Sequence, residues 1–324
     1  MKKAALLYNP DSGGSRGNRQ AELESVTAML RREGVEGELV LTRSPADAEA
    51  KTRVAVDAGC DTVFACGGDG TIHNIVQVLA KTEVALAIMP MGTANALAHD
   101  LGLPMKLPAA ARSALEGTTR RVALGRIEYS DLQAQPAARY FIVAAGAGVD
   151  AHLFYKLHTG TKKRMGMAAY YAKAWHLWFS YPMTRFQVEL SEPGSNEARR
   201  AAVTEMMAIR IRNFGGVLQE LAPGADLERN DLRVVSCRTA SRFSYLMYVT
   251  RGLLRQKWKV PGIDLAYTDR VSCSYLSGPN AGSSGTQRKI YVETDGELLG
   301  TLPAEITVVP DALTLLGPEH LSRV

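Results

Sequence analysis

The sequence predicts an α/β chain in two parts. A doubly wound, parallel-sheet unit spans residues 1–122, and an antiparallel sheet or sandwich unit spans 123–316. Three observations predict this. Short apolar runs alternate with helix-like stretches through the first part, and near residue 120 the rhythm changes to closely spaced β-like runs. The length, 324 residues, is too great for one small domain and comfortable for two. The tail 317–324 is free to return to the first part.

Each element has a local cause. Lys3–Tyr8 is apolar and reads as a strand, followed by the polar turn NPDSGGSRGN. Leu23, Val26 and Leu30 then fall at near-helical spacing, with Gly34 as a stop. Glu38–Thr42 is a short strand. Ser44-Pro45 opens a helix, serine as N-cap and proline at the first helical position, and that helix runs to about Gly59. Asp61–Cys66 is a buried strand, a helix starts near Thr71, Val84–Met89 is a strand, and short helices continue to about Gly117. Beyond it the β-like runs are Arg121–Tyr129, Tyr140–Ala145, Thr184–Leu190, Val203–Arg212, Leu232–Cys237, Leu265–Tyr275, Lys289–Thr294 and Glu305–Val309. Two aromatic-rich helical stretches, Met165–Phe179 and Ser241–Leu254, interrupt them, and Asn280–Gly285 reads as a loop.

Composition narrows the function classes. A formal charge of +5 suits acidic partners, whether anionic lipid, nucleotide phosphate or nucleic acid, without choosing among them. No zinc finger or aromatic RNP motif is present, so a nucleic-acid partner is not expected. Cys60, Cys66, Cys237 and Cys273 form no CxxC pair and no zinc-like spacing. The opening MKKAALLYNP reads as a strand, not a signal peptide. The longest uncharged stretch, Val84–Ala98, is broken by Pro90, Gly92 and Asn95 and is too short to span a bilayer. The expectation is a cytoplasmic protein whose membrane contact, if any, is peripheral.

The chemistry concentrates in glycine-rich turns. FACGGDGTIH places Gly67, Gly68, Asp69, Gly70 and Thr71 between a strand and a helix. Glycines let backbone N–H groups converge on an anion, and a helix N-terminus adds partial positive charge. Asp69 would repel phosphate, so it makes sense as a group that reaches Mg²⁺ or accepts a proton; the plainer alternative is a helix N-cap. NPDSGG (Asn9–Gly14) and GTAN (Gly92–Asn95) follow two further strands, and turns at the carboxyl ends of neighbouring parallel strands share one crevice. Neither GxxxxGK[ST] nor a helix-opening GxGxxG occurs, which excludes a Walker loop and a dinucleotide fingerprint.

Taken in order, NPDSGG, GGDGT, GTAN with LAHDLGLP, and a late DGE (Asp295–Glu297) resemble the bacterial diacylglycerol kinase catalytic family, related to sphingosine kinases and more distantly to NAD kinases. The resemblance covers essentially the whole chain. It implies a nucleotide domain followed by a β-sandwich lipid-substrate domain, with ATP and Mg²⁺ in the cleft. By resemblance Asn9, Pro10, Asp11, Ser12, Gly13, Thr42, Gly67, Gly68, Gly70, Thr71, Gly92, Thr93 and Asn95 belong to the ATP site. Glu297 matches the family's general base, and Asp69 takes that role in sphingosine kinases, so both are candidates. Asp150 and Arg164 match substrate-contacting positions.

Two departures stand out. His73-Asn74 follow GGDGT where the family carries Asn-Glu. In PGADLERNDLRV, Arg229 and Asn230 stand where bacterial members carry the Asp-Gly of a structural Mg²⁺ site. A guanidinium cannot ligate a cation. Either Arg229 replaces the metal's charge, which is favoured, or Asp231 takes over as ligand.

On the lipid side, Arg251, Arg255, Lys257, Trp258 and Lys259 form a basic run with one interfacial aromatic, suited to anionic phospholipid. Trp175, Trp178, Phe179 and Tyr181 could line an acyl pocket. The implied activity is ATP-dependent phosphorylation of a lipid hydroxyl, diacylglycerol first. A sphingoid base or other lipid alcohol, an NAD kinase-like reaction, and a nucleotide sensor without turnover stay open, as does a homodimer.

Overall fold

The protein, described by a computed structural model, is defined over residues 1–10, 19–149, 151, 182–191, 198–215, 220–256, 258–276 and 288–318. It divides into two units, one of residues 1–124, 211–219 and 309–324, the other of 125–210 and 220–308.

In the first unit, parallel strands β1 (Lys3–Tyr8), β2 (Glu36–Leu41), β3 (Thr62–Gly67) and β4 (Ala85–Pro90) lie in the order β2-β1-β3-β4. β3 and β4 are buried at every residue, as expected of parallel strands covered on both faces. Helix α1 (Arg19–Arg32) buries Leu23, Val26 and Leu30 against this sheet's core and ends before Gly34, whose φ of 80° suits the stop. Helix α2 (Pro45–Asp57) starts as its sequence dictates: the Ser44 hydroxyl accepts a hydrogen bond from the Asp47 N–H at 3.1 Å, with proline next. α3 (Asp69–Leu79), α4 (Ala96–Asp100) and α5 (Leu107–Glu116) follow β3 and β4.

The second unit is antiparallel. β7 (Ala144–Gly148) lies between β10 (Glu205–Ile209) and β14 (Tyr291–Thr294); β10 pairs with β11 (Leu232–Cys237), and β11 with β12 (Ile263–Thr268). β8 (Phe186–Ser191) lies between β9 (Ala198–Val203) and β13 (Arg270–Ser274), and β5 (Thr118–Asp131) pairs with β6 (Pro136–Phe141). Phe141, Phe186, Met206, Val234, Val271 and Ile306 are among the residues that close its core. The long β15 (Glu297–Gly317) pairs antiparallel with β13 and β14, and its last part, Thr314 and Leu315, pairs parallel with β4.

The expected element types hold, with boundary differences of one or two residues for most. Two expected single runs are each two strands. Tyr140–Ala145 divides between β6 and β7, and Leu265–Tyr275 divides at Asp269, where the Arg270 N–H turns back to the Thr268 hydroxyl at 3.1 Å. The strand β9, largely exposed, carries no apolar alternation and was not expected before Val203. Helix α6 (Arg242–Leu253) coincides with the second aromatic-rich stretch and is capped by Ser241. The first, Met165–Phe179, lies outside the described residues, as does Asn280–Gly285. Among the described residues, no helix is long and apolar enough to cross a membrane.

Candidate active site

Register places three strand ends side by side in the first unit: Tyr8 pairs with Cys66, and Cys66 with Met89. The turns that follow β1, β3 and β4 therefore leave from one edge of the sheet. At the middle turn Gly68 is the N-cap of α3, with no side chain to cap it, and Asp69 is the first helical residue. The N-cap role for Asp69 is thus filled by glycine, which brings no side chain of its own to the first N–H groups of α3. The Thr71 side chain packs directly over Gly67.

The middle and third turns touch backbone to backbone. A Cβ on Gly68 would stand 3.0 Å from the Gly92 Cα, and one on Gly92 would overlap the Gly68 Cα. Sterics alone exclude a Cβ at Gly92 and crowd one at Gly68, whatever the ligand. Asn95 closes the third turn: its Oδ1 accepts from the Gly92 N–H at 2.8 Å and its Nδ2 donates to the Gly92 carbonyl at 3.0 Å. Asn95 pays for this with a left-handed backbone, φ 49°. Thr93 is exposed beside it, and Thr42 is buried after β2, its N–H donating to the Tyr8 carbonyl at 2.7 Å. Asn9 and Pro10 sit half-buried at the end of β1. Asp11, Ser12, Gly13, Asp150 and Arg164 lie outside the described residues.

His73 is buried on α3, and Asn74 donates to the Gly70 carbonyl at 2.8 Å, so both serve the helix. Asp100, from LAHDLGLP, was not singled out in the sequence. Its Oδ1 accepts from the N–H groups of Arg212 and Asn213, both at 2.8 Å, and fastens that segment to α4. An aspartate at a helix end followed by Leu-Gly was the available signal.

In the second unit the DGE motif splits into two roles. Asp295, at φ 50°, is a rivet: its carboxylate accepts from the N–H groups of Ile142, Val143 and Ala144 at 3.2, 2.9 and 3.1 Å. The neighbouring Glu293 accepts from the Gly296 N–H at 2.9 Å. Glu297 opens β15 directly after this pinned turn, half-buried.

The cysteines add no chemistry. Burial pushes the Cys66 and Cys237 thiols well above their ordinary range and the Cys273 thiol up to about 12, so none is a thiolate at neutral pH.

The turn at residues 223–231 corrects one expectation. Arg229 does not supply a central charge; it pairs outward with Asp231, Nε to Oδ1 at 2.7 Å. The central cation is Arg210, fully buried at the end of β10. Its Nη1 donates to the carbonyls of Arg229 and Asp231 at 2.7 and 2.6 Å, and its Nη2 to that of Leu227 at 2.9 Å. Burial pulls its pKa down to about 10, which leaves it charged at neutral pH. An arginine between Ile209 and Ile211, just past the apolar run Met206–Ile209, was the sequence signal.

A second correction concerns the basic run. Arg251 is 4% exposed, stacked 4.3 Å from the Tyr248 ring centroid, with Nη2 3.5 Å from the Leu221 carbonyl. It cannot face lipid. Arg255, Trp258 and Lys259 are exposed, and Lys257 lies outside the described residues.

Comparison with known proteins agrees with this arrangement. Residues 3–127 match the diacylglycerol kinase catalytic domain, and residues 143–317 match the YegS C-terminal NAD kinase beta sandwich-like domain. A diacylglycerol kinase of Mycobacterium tuberculosis (strain ATCC 25618 / H37Rv) is 30% identical over 98% of this chain and 96% of its own length.

The chain belongs to the diacylglycerol kinase family.

A second diacylglycerol kinase, from Bacillus subtilis (strain 168), is 26% identical over 94% of this chain and 93% of its own. Among solved structures, a diacylglycerol kinase from Bacillus anthracis str. Sterne superposes with a TM-score of 0.70 at 17% identity, covering 99% of this chain and 98% of its own. A yeast NADH kinase complexed with NADH has a TM-score of 0.51 at 10% identity, covering 98% and 84%, which places the same fold in a nucleotide kinase. The diacylglycerol kinase family identity makes this chain a kinase homologue.

Proposed function

We propose that the chain is an ATP-dependent lipid kinase that phosphorylates a lipid hydroxyl, diacylglycerol to phosphatidic acid in the first instance. The observation that carries the reading is the pair of glycine turns packed backbone to backbone at the carboxyl ends of β3 and β4, the second closed by Asn95. Turns of this kind present N–H groups to phosphate with no Cβ in the way, and α3 adds the positive end of its dipole.

The two candidate carboxylates then separate by environment. Asp69 sits at the first position of α3, directly after the glycine turn, so it suits holding the Mg²⁺ that accompanies ATP. That ion would neutralise charge on the phosphates when bound. Glu297 follows a turn pinned by Asp295 and Glu293, and it is assigned as the base that accepts the proton of the lipid hydroxyl.

The substrate stays in a bilayer, so the chain must visit one. α6 supports this: Phe243, Leu246 and Leu253 fall three and seven residues apart on one face and are exposed, Phe243 at 70%. Leu254, Trp258, Arg255 and Lys259 extend the same end of the helix, and no acidic residue occurs between Leu232 and Ile263. An exposed apolar helix face next to a basic segment fits an anionic leaflet.

The deciding assay incubates the protein with labelled ATP and a total lipid extract and identifies the product. Labelled phosphatidic acid is expected. Label on a sphingoid base or on added NAD would replace the substrate assignment, and ATP binding without any labelled product would replace the enzyme by a sensor. For the surface, co-sedimentation with phosphatidylglycerol vesicles should weaken in Phe243→Ser/Leu246→Ser, while unchanged binding would remove α6 from the reading.

A further inference from the structure

We infer that the Arg210 guanidinium is the resident structural cation of the 223–231 turn, and that this unit needs no structural divalent metal. The inference concerns folding and stands whether or not the lipid-kinase reading holds.

Three carbonyls from alternate residues, Leu227, Arg229 and Asp231, converge on one point and would suit a hard cation in both atom type and number. That point is filled. Arg210 is completely buried and donates to all three, a planar fork in place of a spherical ion. The carboxylates that a metal would recruit are already engaged. The Asp231 side chain is held by Arg229, and the Asp226 Oδ1 accepts from the Glu228 N–H at 3.0 Å. Among the described residues no group of three or more His, Cys, Asp or Glu side chains could hold a metal.

The surroundings are also wrong for a second cation. Arg229 and Arg233 lie 4.3 and 4.2 Å from the Tyr267 ring centroid, so two further guanidinium groups stand near the same turn. A divalent ion would have to displace Arg210, which Asp231 and Asp226 hold electrostatically, and break the Arg229–Asp231 pair. The residues present therefore do not fit the structural Mg²⁺ that the family resemblance implies. Arg229 at the ligand position and Arg210 in the cradle are two halves of one replacement: the first removes a ligand, the second supplies the charge.

The cradle has a neighbour that depends on it. Tyr248 donates its hydroxyl to the Leu221 carbonyl, and Arg251 reaches the same oxygen, so α6 rests on the segment that leads into the turn. Loosening the turn should loosen that helix.

The test measures thermal unfolding and metal binding on the full chain, with no nucleotide present. Wild-type protein stripped with EDTA should keep its midpoint, gain nothing from millimolar Mg²⁺ or Ca²⁺, and bind neither ion in calorimetry. Arg210→Ala should lower the midpoint by roughly 10 °C, the consequence of leaving converged carbonyls without a cation. Millimolar guanidinium should restore part of that loss. A wild-type midpoint that falls on chelation and returns with Mg²⁺ would overturn the inference, as would soluble Arg210→Ala with an unchanged midpoint. If Arg210→Ala does not fold, the wild-type chelation result decides alone.

Discussion

Two stretches of backbone handle charge in this molecule, and they do it in opposite ways. The turns after β3 and β4 carry glycines packed backbone to backbone and a glycine at the start of α3, an arrangement suited to the exchangeable phosphate proposed for this site. The 223–231 turn points three carbonyls at a cation that never leaves, because it is part of the chain. The first keeps its backbone exposed with left-handed Asn95 and with glycines that leave little or no room for a Cβ. The second buries a charge fully and meets both terminal guanidinium nitrogens with carbonyls of its own chain. An exchangeable ligand needs an unfinished site; a structural one is best supplied covalently.

The contrast can be broken at several points, and the largest effect belongs to chemistry. Glu297→Gln should lower kcat on the order of 10²–10⁴-fold while leaving ATP affinity intact, the signature of a lost base. Asp69→Asn should weaken Mg·ATP instead, and equal kcat losses with unchanged nucleotide binding in both variants would erase the distinction between them. Turnover against a nucleotide titration separates the outcomes.

Next come the variants that act on packing. Asp295→Ala leaves three N–H groups without their acceptor and should cost about 2–3 kcal/mol in denaturant unfolding, with Asp295→Asn recovering part of it. Gly92→Ala should cost more than Gly68→Ala, both within about 1–3 kcal/mol, because the added methyl overlaps backbone at the first and only crowds it at the second. Equal costs would mean that the two turns can slide apart. The smallest effect is local: Ser44→Ala should cost about 1 kcal/mol, with turnover unchanged.

The same contrast explains what the sequence revealed. The first unit was legible because each element announces itself within a few residues: Ser44-Pro45 opens α2, Gly34 stops α1, and glycine clusters mark the turns. The Arg210 cradle was not legible, because the donor lies 17 to 21 residues from the carbonyls it meets. No spacing rule connects them. Asp295 was hidden differently. It sits in a motif that draws the eye to Glu297, while its own partners lie about 150 residues away in sequence. Arg251 misled because a basic run reads as surface, and only the fold shows that one of its members turns inward over Tyr248.

The contact between Gly68 and Gly92 has a consequence for inheritance. Each glycine occupies the room that the other's missing methyl would need, so neither position can drift alone without closing the gap that its partner requires. Two codons twenty-four positions apart thus behave as a single character. In any descendant of this chain, the loss of either glycine should mark turns whose backbones have moved apart.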